Sequence, residues 1–296
     1  MLLSDYNAKL AENEGELPEG EEKLVVVGSV SDDCQYTPLG VDQVVKRSDL
    51  QALCELAVSA NSIVLDLHES VREASAVVKA LKHPFEGAKN LVLVSTLLTW
   101  NRTLNDKESK MGEEENEDEQ GEALSMFREE EFNRRKPSNA FLLHKTLEAQ
   151  VLALAHDTLS TTILASGLLY GAQENLFQGF FRDAWLGKSA VLPCVNEGCK
   201  NIVPMIHVKD LGRAVCTALQ EAPSQQYVVA ADKSRDTVAD IVCAVFTLLQ
   251  PHPEMVLLKD AAAAAEEEEA ESSGEVDPEK RDMWKQYIKS PRVASA

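Results

Sequence analysis

What the chain lacks narrows the field first. No apolar run approaches the ~18–20 residues that span a bilayer, so no transmembrane helix and no membrane partner are expected. The opening residues, MLLSDYNAKLAENEGELPEG, lack the basic-then-apolar order of a secretory signal, and the expectation is a soluble, intracellular protein. The cysteines, Cys34, Cys54, Cys194, Cys199, Cys216 and Cys243, include no CxxC pair. Cys194 and Cys199 bracket a VNEG turn rather than a zinc knuckle, so free thiols in a reducing compartment are expected and no metal site is. No GxxxxGK[ST] occurs, and without it neither backbone cradle nor lysine is available for phosphoryl transfer of the P-loop kind. Aromatic residues make up only 5% of the chain, which makes any cluster of them conspicuous.

Basic charge is short as well: the net charge is −20. That figure belongs mostly to four segments, 11–22, 108–122, 129–131 and 266–279, which hold 25 of the 49 acidic residues and, among basic ones, Lys110 alone. The remainder carries 28 basic and 24 acidic residues, close to neutral. A near-neutral domain with solvated acidic appendages is expected, because self-repulsion opposes compaction of such runs. Acidic runs also repel phosphates, which excludes a nucleic-acid groove.

What is there has the rhythm of an α/β domain. KLVVVGSV (23–30) reads as a buried strand, RSDLQALCELAVSA (47–60) as a helix capped by Ser48, and SIVLDL (62–67) as a second buried strand. ESVREASAVVKALK (69–82) is an amphipathic helix, and KNLVLVSTLLTW (89–100) contains a third strand. The helix AFLLHKTLEAQVLALA (140–155), the strand STTILAS (160–166) and a turn into an aromatic-rich helix within 168–188 follow. Two further strand–helix pairs come next, the first helix being capped by Asp210. Strands alternating with helices of this length imply βαβ units, a doubly wound, mainly parallel Rossmann-like sheet and right-handed crossovers.

The expected organisation is an acidic polar leader (1–22), a Rossmann-like domain (23–260) carrying an exposed acidic insertion (101–137), an Ala/Glu linker (261–276) and a C-terminal tail (277–296). The tail presents Trp284, Tyr287 and Ile288. It either docks on a partner or packs back on its own domain.

A dinucleotide-binding unit needs glycines after its first strand, so that backbone amides approach the pyrophosphate at a helix N-terminus. Here VVVGSVSDDCQ offers Gly28 alone, followed by Asp32 and Asp33, which would repel a phosphate. Several later segments together nevertheless resemble the extended short-chain dehydrogenase/reductases, the NAD-dependent epimerase/dehydratase family. SIVLDL with His68 matches the family's fourth strand, and NLVLVSTLLTW its fifth, whose end normally carries a catalytic Ser or Thr, here Ser95 or Thr96. FLLHK stands where the family has YxxxK, with Phe141 for Tyr and Lys145 kept. TILASGLLYG is similar to ILRPxxxYG with Ala165 in place of Arg, and IHVKDLGRAV, around His207, Asp210 and Leu211, to HVxDLAxA. STLLTW, YGAQENLFQGFFRDAWLG and IHVKDL further resemble the N-terminal Rossmann-like region of the ciliary adenylate kinase subfamily (isoenzyme seven), without its kinase domain.

The resemblance implies a tyrosine that exchanges a proton with the substrate, an effect worth ~10²–10⁴-fold, which Phe141 cannot perform. Ser95 and Thr96 either cap a strand end or serve chemistry. Lys145 either holds a ribose or is an exposed helix lysine. Two functions follow. One is a pseudoenzyme without cofactor, a structural and interaction component of a ciliary or flagellar axoneme. It would be microtubule-associated and would meet partners through Phe181, Trp185, Trp284 and Tyr287, the first two lying in an aromatic cluster with Phe177 and Phe180. The other is an NAD(P)-binding sensor or residual oxidoreductase, its cleft lined by Gly28, Ser29, Lys145 and Tyr170. An active epimerase with a substituted acid/base is a third.

Overall fold

The computed structural model describes residues 24–103, 128–172, 176–188, 190–193, 202–221, 223–249 and 255–258. The leader, most of the acidic insertion, the linker and the tail lie outside the described residues, and with them Trp284, Tyr287, Cys194 and Cys199.

Strands β1 (Val27–Val30), β2 (Gln43–Lys46), β3 (Ser62–Asp66), β4 (Lys89–Thr96), β5 (Leu159–Ser166), β6 (Leu168–Tyr170), β7 (Ala190–Pro193), β8 (Met205–His207), β9 (Tyr227–Ala230) and β10 (Met255–Leu258) alternate with helices. These are α1 (Leu50–Ser59), α2 (Val71–Ala80), α3 (Leu142–Leu152), α4 (Gln178–Trp185), α5 (Val208–Gln220) and α6 (Val238–Leu249). The largest sheet has the order β3-β4-β5-β9, and β1–β2, β6–β8 and β7–β10 form two-stranded ladders. The pairs β1–β2, β3–β4, β6–β8 and β7–β10 are all parallel. The α/β, mainly parallel architecture expected from the alternation is therefore the observed one. β4 and β5 are buried on both faces, as their nearly continuous apolar and hydroxyl-bearing runs require.

The chain divides into two compact units. The first comprises Met1–Ser95, Thr146–Leu164 and Gly212–Gln226; its core holds Val78, Leu91, Leu93, Leu147, Val151 and Ile163. The second comprises Thr96–Lys145, Ala165–Leu211 and Tyr227–Ala296, with Leu97, Leu98, Trp100, Leu168, Val242 and Phe246 inside. The fully buried Trp100 donates its indole N–H to the Tyr227 hydroxyl at 2.9 Å, which satisfies the one polar atom of an otherwise apolar side chain.

Several local expectations are corrected. The first strand is not buried throughout: Leu24, Val25 and Val27 are exposed and β1 pairs with β2 alone. SIVLDL is an edge strand of its sheet, with only alternate residues buried and Val64 exposed, so it follows the period of two rather than that of a central strand. Asp49, not Ser48, caps α1 by accepting from the Ala52 N–H at 3.0 Å; the neighbouring Ser48 is drawn instead to Asp32. Asp210 lies in the first turn of α5, because β8 runs straight into that helix and leaves no separate cap position. The insertion ends sooner than expected: residues 128–136 are built into the second unit, and Glu129 of the acidic 129–131 run is buried.

Candidate functional site

The turn after β1 is where a Rossmann fold begins its first helix, whose N–H groups meet a pyrophosphate. Residues 31–42 contain turns and no helix. The Lys46 ammonium donates to the carbonyl oxygens of Ser31 at 3.5 Å and Asp32 at 3.2 Å, and also to that of Cys34. The Asp32 carboxylate accepts from the Ser48 hydroxyl at 2.9 Å and the Ser48 N–H at 3.2 Å. Gly28 makes no close approach: a Cβ there would rest against Val41 at 3.6 Å, an ordinary contact. Ser29 is half-buried in the ladder opposite Val45. Three carbonyl oxygens converging on an ammonium suit a cation, and the chain supplies that cation itself. These groups do not fit a pyrophosphate.

At the end of β4, Ser95 Oγ donates to the Glu148 carboxylate, both residues being fully buried. Thr96 Oγ1 accepts from the Leu98 N–H at 3.2 Å and so caps the short 3-10 turn Leu97–Trp100. Thr96 thus caps the turn, while Ser95 bonds a buried carboxylate. Glu148 escaped the sequence reading, yet a signal was present. It stands seven residues after Phe141 and three before Val151, on the buried face of α3.

Phe141 is buried at the entry to α3, its ring 5.2 Å from that of His144. Lys145 is not an exposed helix lysine. It is half-buried and donates to the Arg135 carbonyl oxygen at 2.7 Å. Arg135 in turn lies over the rings of Tyr227 (5.0 Å) and Phe132 (5.5 Å), which stack on one another at 4.9 Å. Glu129 accepts from the Val229 N–H at 2.7 Å. Burial pushes the Glu129 carboxyl up against the lowering effect of that bond, and Glu130 adds to the rise. Lys145, Arg135 and Glu129 thus fasten residues 128–136 in place.

Tyr170 donates its hydroxyl to Asp232 at 2.8 Å. That bond, with burial and the charges of Asp232 and Asp210, pushes the phenol up to about 12. The His207 ring stands edge-on to it at 5.2 Å. This packing explains Gly171, whose φ is +84° and at which a Cβ would overlap the His207 ring. Ser95 meets Glu148, Lys145 meets Arg135 and Tyr170 meets Asp232, each within its own unit.

α4 packs on α6 and presents a mixed face. Phe177 and Ala184 are buried, whereas Phe181 is 43% and Trp185 78% exposed. Among the described residues no group of three His, Cys, Asp or Glu is placed to hold a metal, and no helix is long and apolar enough to cross a membrane.

No family model matches the chain. It is 33% identical over 181 residues to adenylate kinase 7 of Mus musculus, a match covering 60% of this chain and 27% of that protein. It is 38% identical over 97 residues to adenylate kinase 7 of Macaca fascicularis, covering 32% of this chain and 18% of that protein. The chain thus spans about a quarter or less of the length of these curated relatives. Among solved structures, UDP-N-acetylglucosamine 4-epimerase from Bacillus cereus superposes with a TM-score of 0.53 at 15% identity, over 90% of this chain and 88% of that one. dTDP-glucose 4,6-dehydratase from Bacillus anthracis, solved with NAD, gives 0.56 at 14% identity over 97% and 93%. The human epimerase family protein SDR39U1, solved with NADPH, gives 0.51 at 15% identity over 81% and 76%. At these identities the structural likeness is one of fold. The chain therefore has the Rossmann-like fold of the NAD-dependent epimerases and short-chain dehydrogenases, and is similar in sequence to part of adenylate kinase 7.

Proposed function

We propose that this chain is a non-catalytic Rossmann-like protein that serves as an interaction component of a ciliary or flagellar axoneme. The observation that carries the reading is the turn after β1, where Lys46 fills a ring of carbonyl oxygens and no helix offers N–H groups to a pyrophosphate. Phe141 supports it, since a phenyl ring has no proton to exchange with a substrate oxygen. So does Ser95, whose hydroxyl is spent on Glu148. The axonemal setting comes from the similarity to adenylate kinase 7, taken with the ciliary character of the subfamily that the sequence resembles. Kinase activity is not carried over, because the sequence has no GxxxxGK[ST]. Partners in a microtubule-bound complex would meet Phe181 and Trp185 on α4, and Trp284 and Tyr287 in the tail, while the acidic segments face basic neighbours rather than the acidic tubulin surface.

A second reading, an NAD(P)-binding sensor or residual oxidoreductase, is favoured by one observation: Lys145 is kept, and proteins of the same fold are solved with NAD or NADPH. Thermal unfolding in titrations of NAD, NADP, their reduced forms, ATP and AMP separates the two. A ligand at 100 times its Kd adds ~2.7 kcal/mol, several degrees for a domain of this size. The non-catalytic reading expects a flat melting temperature at millimolar ligand; a dose-dependent rise with one dinucleotide would overturn it.

A further inference from the structure

Two helices of the second unit, α4 and α6, pack together and leave apolar side chains in water at their C-terminal ends. Trp185 is 78%, Leu186 59% and Leu248 85% exposed, with Phe181 and Leu249 partly so. An exposed tryptophan followed by Leu186, on a helix packed against the one that exposes Leu248, forms the kind of surface that soluble proteins cover. β7 packs against both helices, and its ladder partner is β10, the last described element. The chain leaves this same group of four elements at Leu258 and continues with the 18 residues 259–276, rich in Ala and Glu, into DPEKRDMWKQYIKSPR (277–292). In that segment Met283, Trp284, Tyr287 and Ile288 have the spacing of one helix face and are its large apolar residues.

We propose that segment 277–292 docks its Trp284–Ile288 face on the exposed α4–α6 surface of its own chain, so that the two apolar surfaces mask one another until a partner separates them. This deepens the reading of Trp185 and Trp284 as interaction residues and rests on it in that respect alone. Reach permits the contact. Eighteen residues span ~23 Å as a flexible coil and ~27 Å as a helix, either being twice a helix diameter or more. Concentration decides between occupants. A tether of this length holds the segment at an effective concentration on the order of 1 mM, far above that of a second copy at micromolar protein. An isolated affinity of only ~0.1 mM then closes the contact about ten times out of eleven.

The test is hydrogen exchange on the full chain over a hundredfold dilution series, with Trp185→Glu and Trp284→Ala as separate variants. Both substitutions lie outside the described core, and unchanged unfolding temperatures check that the fold persists. The expected result is exchange slowed about tenfold over 283–288 and over 181–186, independent of dilution. Trp185→Glu releases the tail amides, and Trp284→Ala releases those of α4. An unprotected tail would overturn the proposal. So would protection that fades on dilution, which points to a second copy, or protection indifferent to Trp185→Glu, which points to another face. None of these outcomes depends on dinucleotide binding, so this proposal and the non-catalytic reading fail separately.

Discussion

Lys145 donates its ammonium to the carbonyl oxygen of Arg135 at 2.7 Å, and this bond ties α3 to the segment that carries Glu129 and Phe132. The lysine that the family resemblance assigns to a ribose makes this bond in the structure. Lys145→Met should therefore lower stability by about 1 kcal/mol, given its half-buried setting, or roughly 2–4 °C in Tm. Lys145→Arg, which keeps a donor, should recover part of the loss. Calorimetry on the variants checks this. A normal Tm for Lys145→Met would show that the bond contributes nothing.

Phe141→Tyr restores the missing phenol at a buried position. On the non-catalytic reading it yields no oxidoreductase activity, because the turn after β1 still offers carbonyls rather than amides. Absorbance at the nicotinamide band, with NADH or NADPH and a panel of nucleotide sugars, is the measurement. Turnover by this variant would mean that the hydroxyl was the only missing part.

Glu129 has a raised carboxyl pKa, caused chiefly by burial. A group raised in the folded state adds stability below its unfolded value of 4.5 and loses that contribution as pH climbs through the folded value. Glu129→Gln keeps an acceptor for the Val229 N–H and removes the charge. It should therefore be at least as stable as the parent at pH 7, with the difference closing near pH 4. Glu129→Ala leaves that N–H unsatisfied and should cost about 1–3 kcal/mol at both pH values. Urea midpoints across the range decide the sign.

Tyr170 behaves alike at the other end of the scale. Its phenol, pushed up to about 12 by the bond to Asp232, favours the folded state below pH 10, and this contribution fades between pH 10 and pH 12. Comparing Tyr170→Phe with the parent should show a stability gap that narrows over that interval. A gap constant with pH would place its origin in packing alone.

Gly171 and Gly187 both have positive φ, +84° and +69°. Only at Gly171 would a Cβ meet a neighbour, the His207 ring; Gly187 faces open space. Gly187→Ala should cost the left-handed backbone penalty alone, about 1–2 kcal/mol. Gly171→Ala should cost clearly more, and should disturb the Tyr170–His207 contact, visible in near-ultraviolet circular dichroism.

Legibility in the sequence followed the length of the signal. β4 and β5 are eight-residue runs of apolar and hydroxyl-bearing residues, and burial on both faces left them little alternative; β5 was found within a residue, whereas the stretch read for β4, 89–100, runs on into the 3-10 turn Leu97–Trp100. The same logic overshot at SIVLDL, because composition cannot distinguish a central strand from an edge strand of similar residues. The N-cap of α1 was missed by one place since Ser48 and Asp49 are both good caps, and only the competing pull of Asp32 on Ser48 settles the choice. Glu129 was hidden by its neighbours. In a run of three glutamates, burial of the first depends on the Val229 N–H, far along the chain. The pairing of Ser95 with Glu148 was hidden in the same way, since a hydroxyl at a strand end reads equally as cap and as catalyst. Phe141 and the missing glycines, being matters of residue type, were legible at once; Lys46 as the occupant of the turn was not.

The β7–β10 ladder also has a consequence for how the chain is made. Val191 finds its partner only when Val256 has been synthesised. A ribosome delivers residues at ~5–20 per second, so β7 waits seconds for its neighbour, with α4 already available to pack. Parallel pairing between strands so distant in sequence is slow to form, since the loop must close before any contact stabilises it. During that interval Trp185 and the unpaired edge of β7 are exposed together, and a chain stalled before Leu258 would keep that edge open.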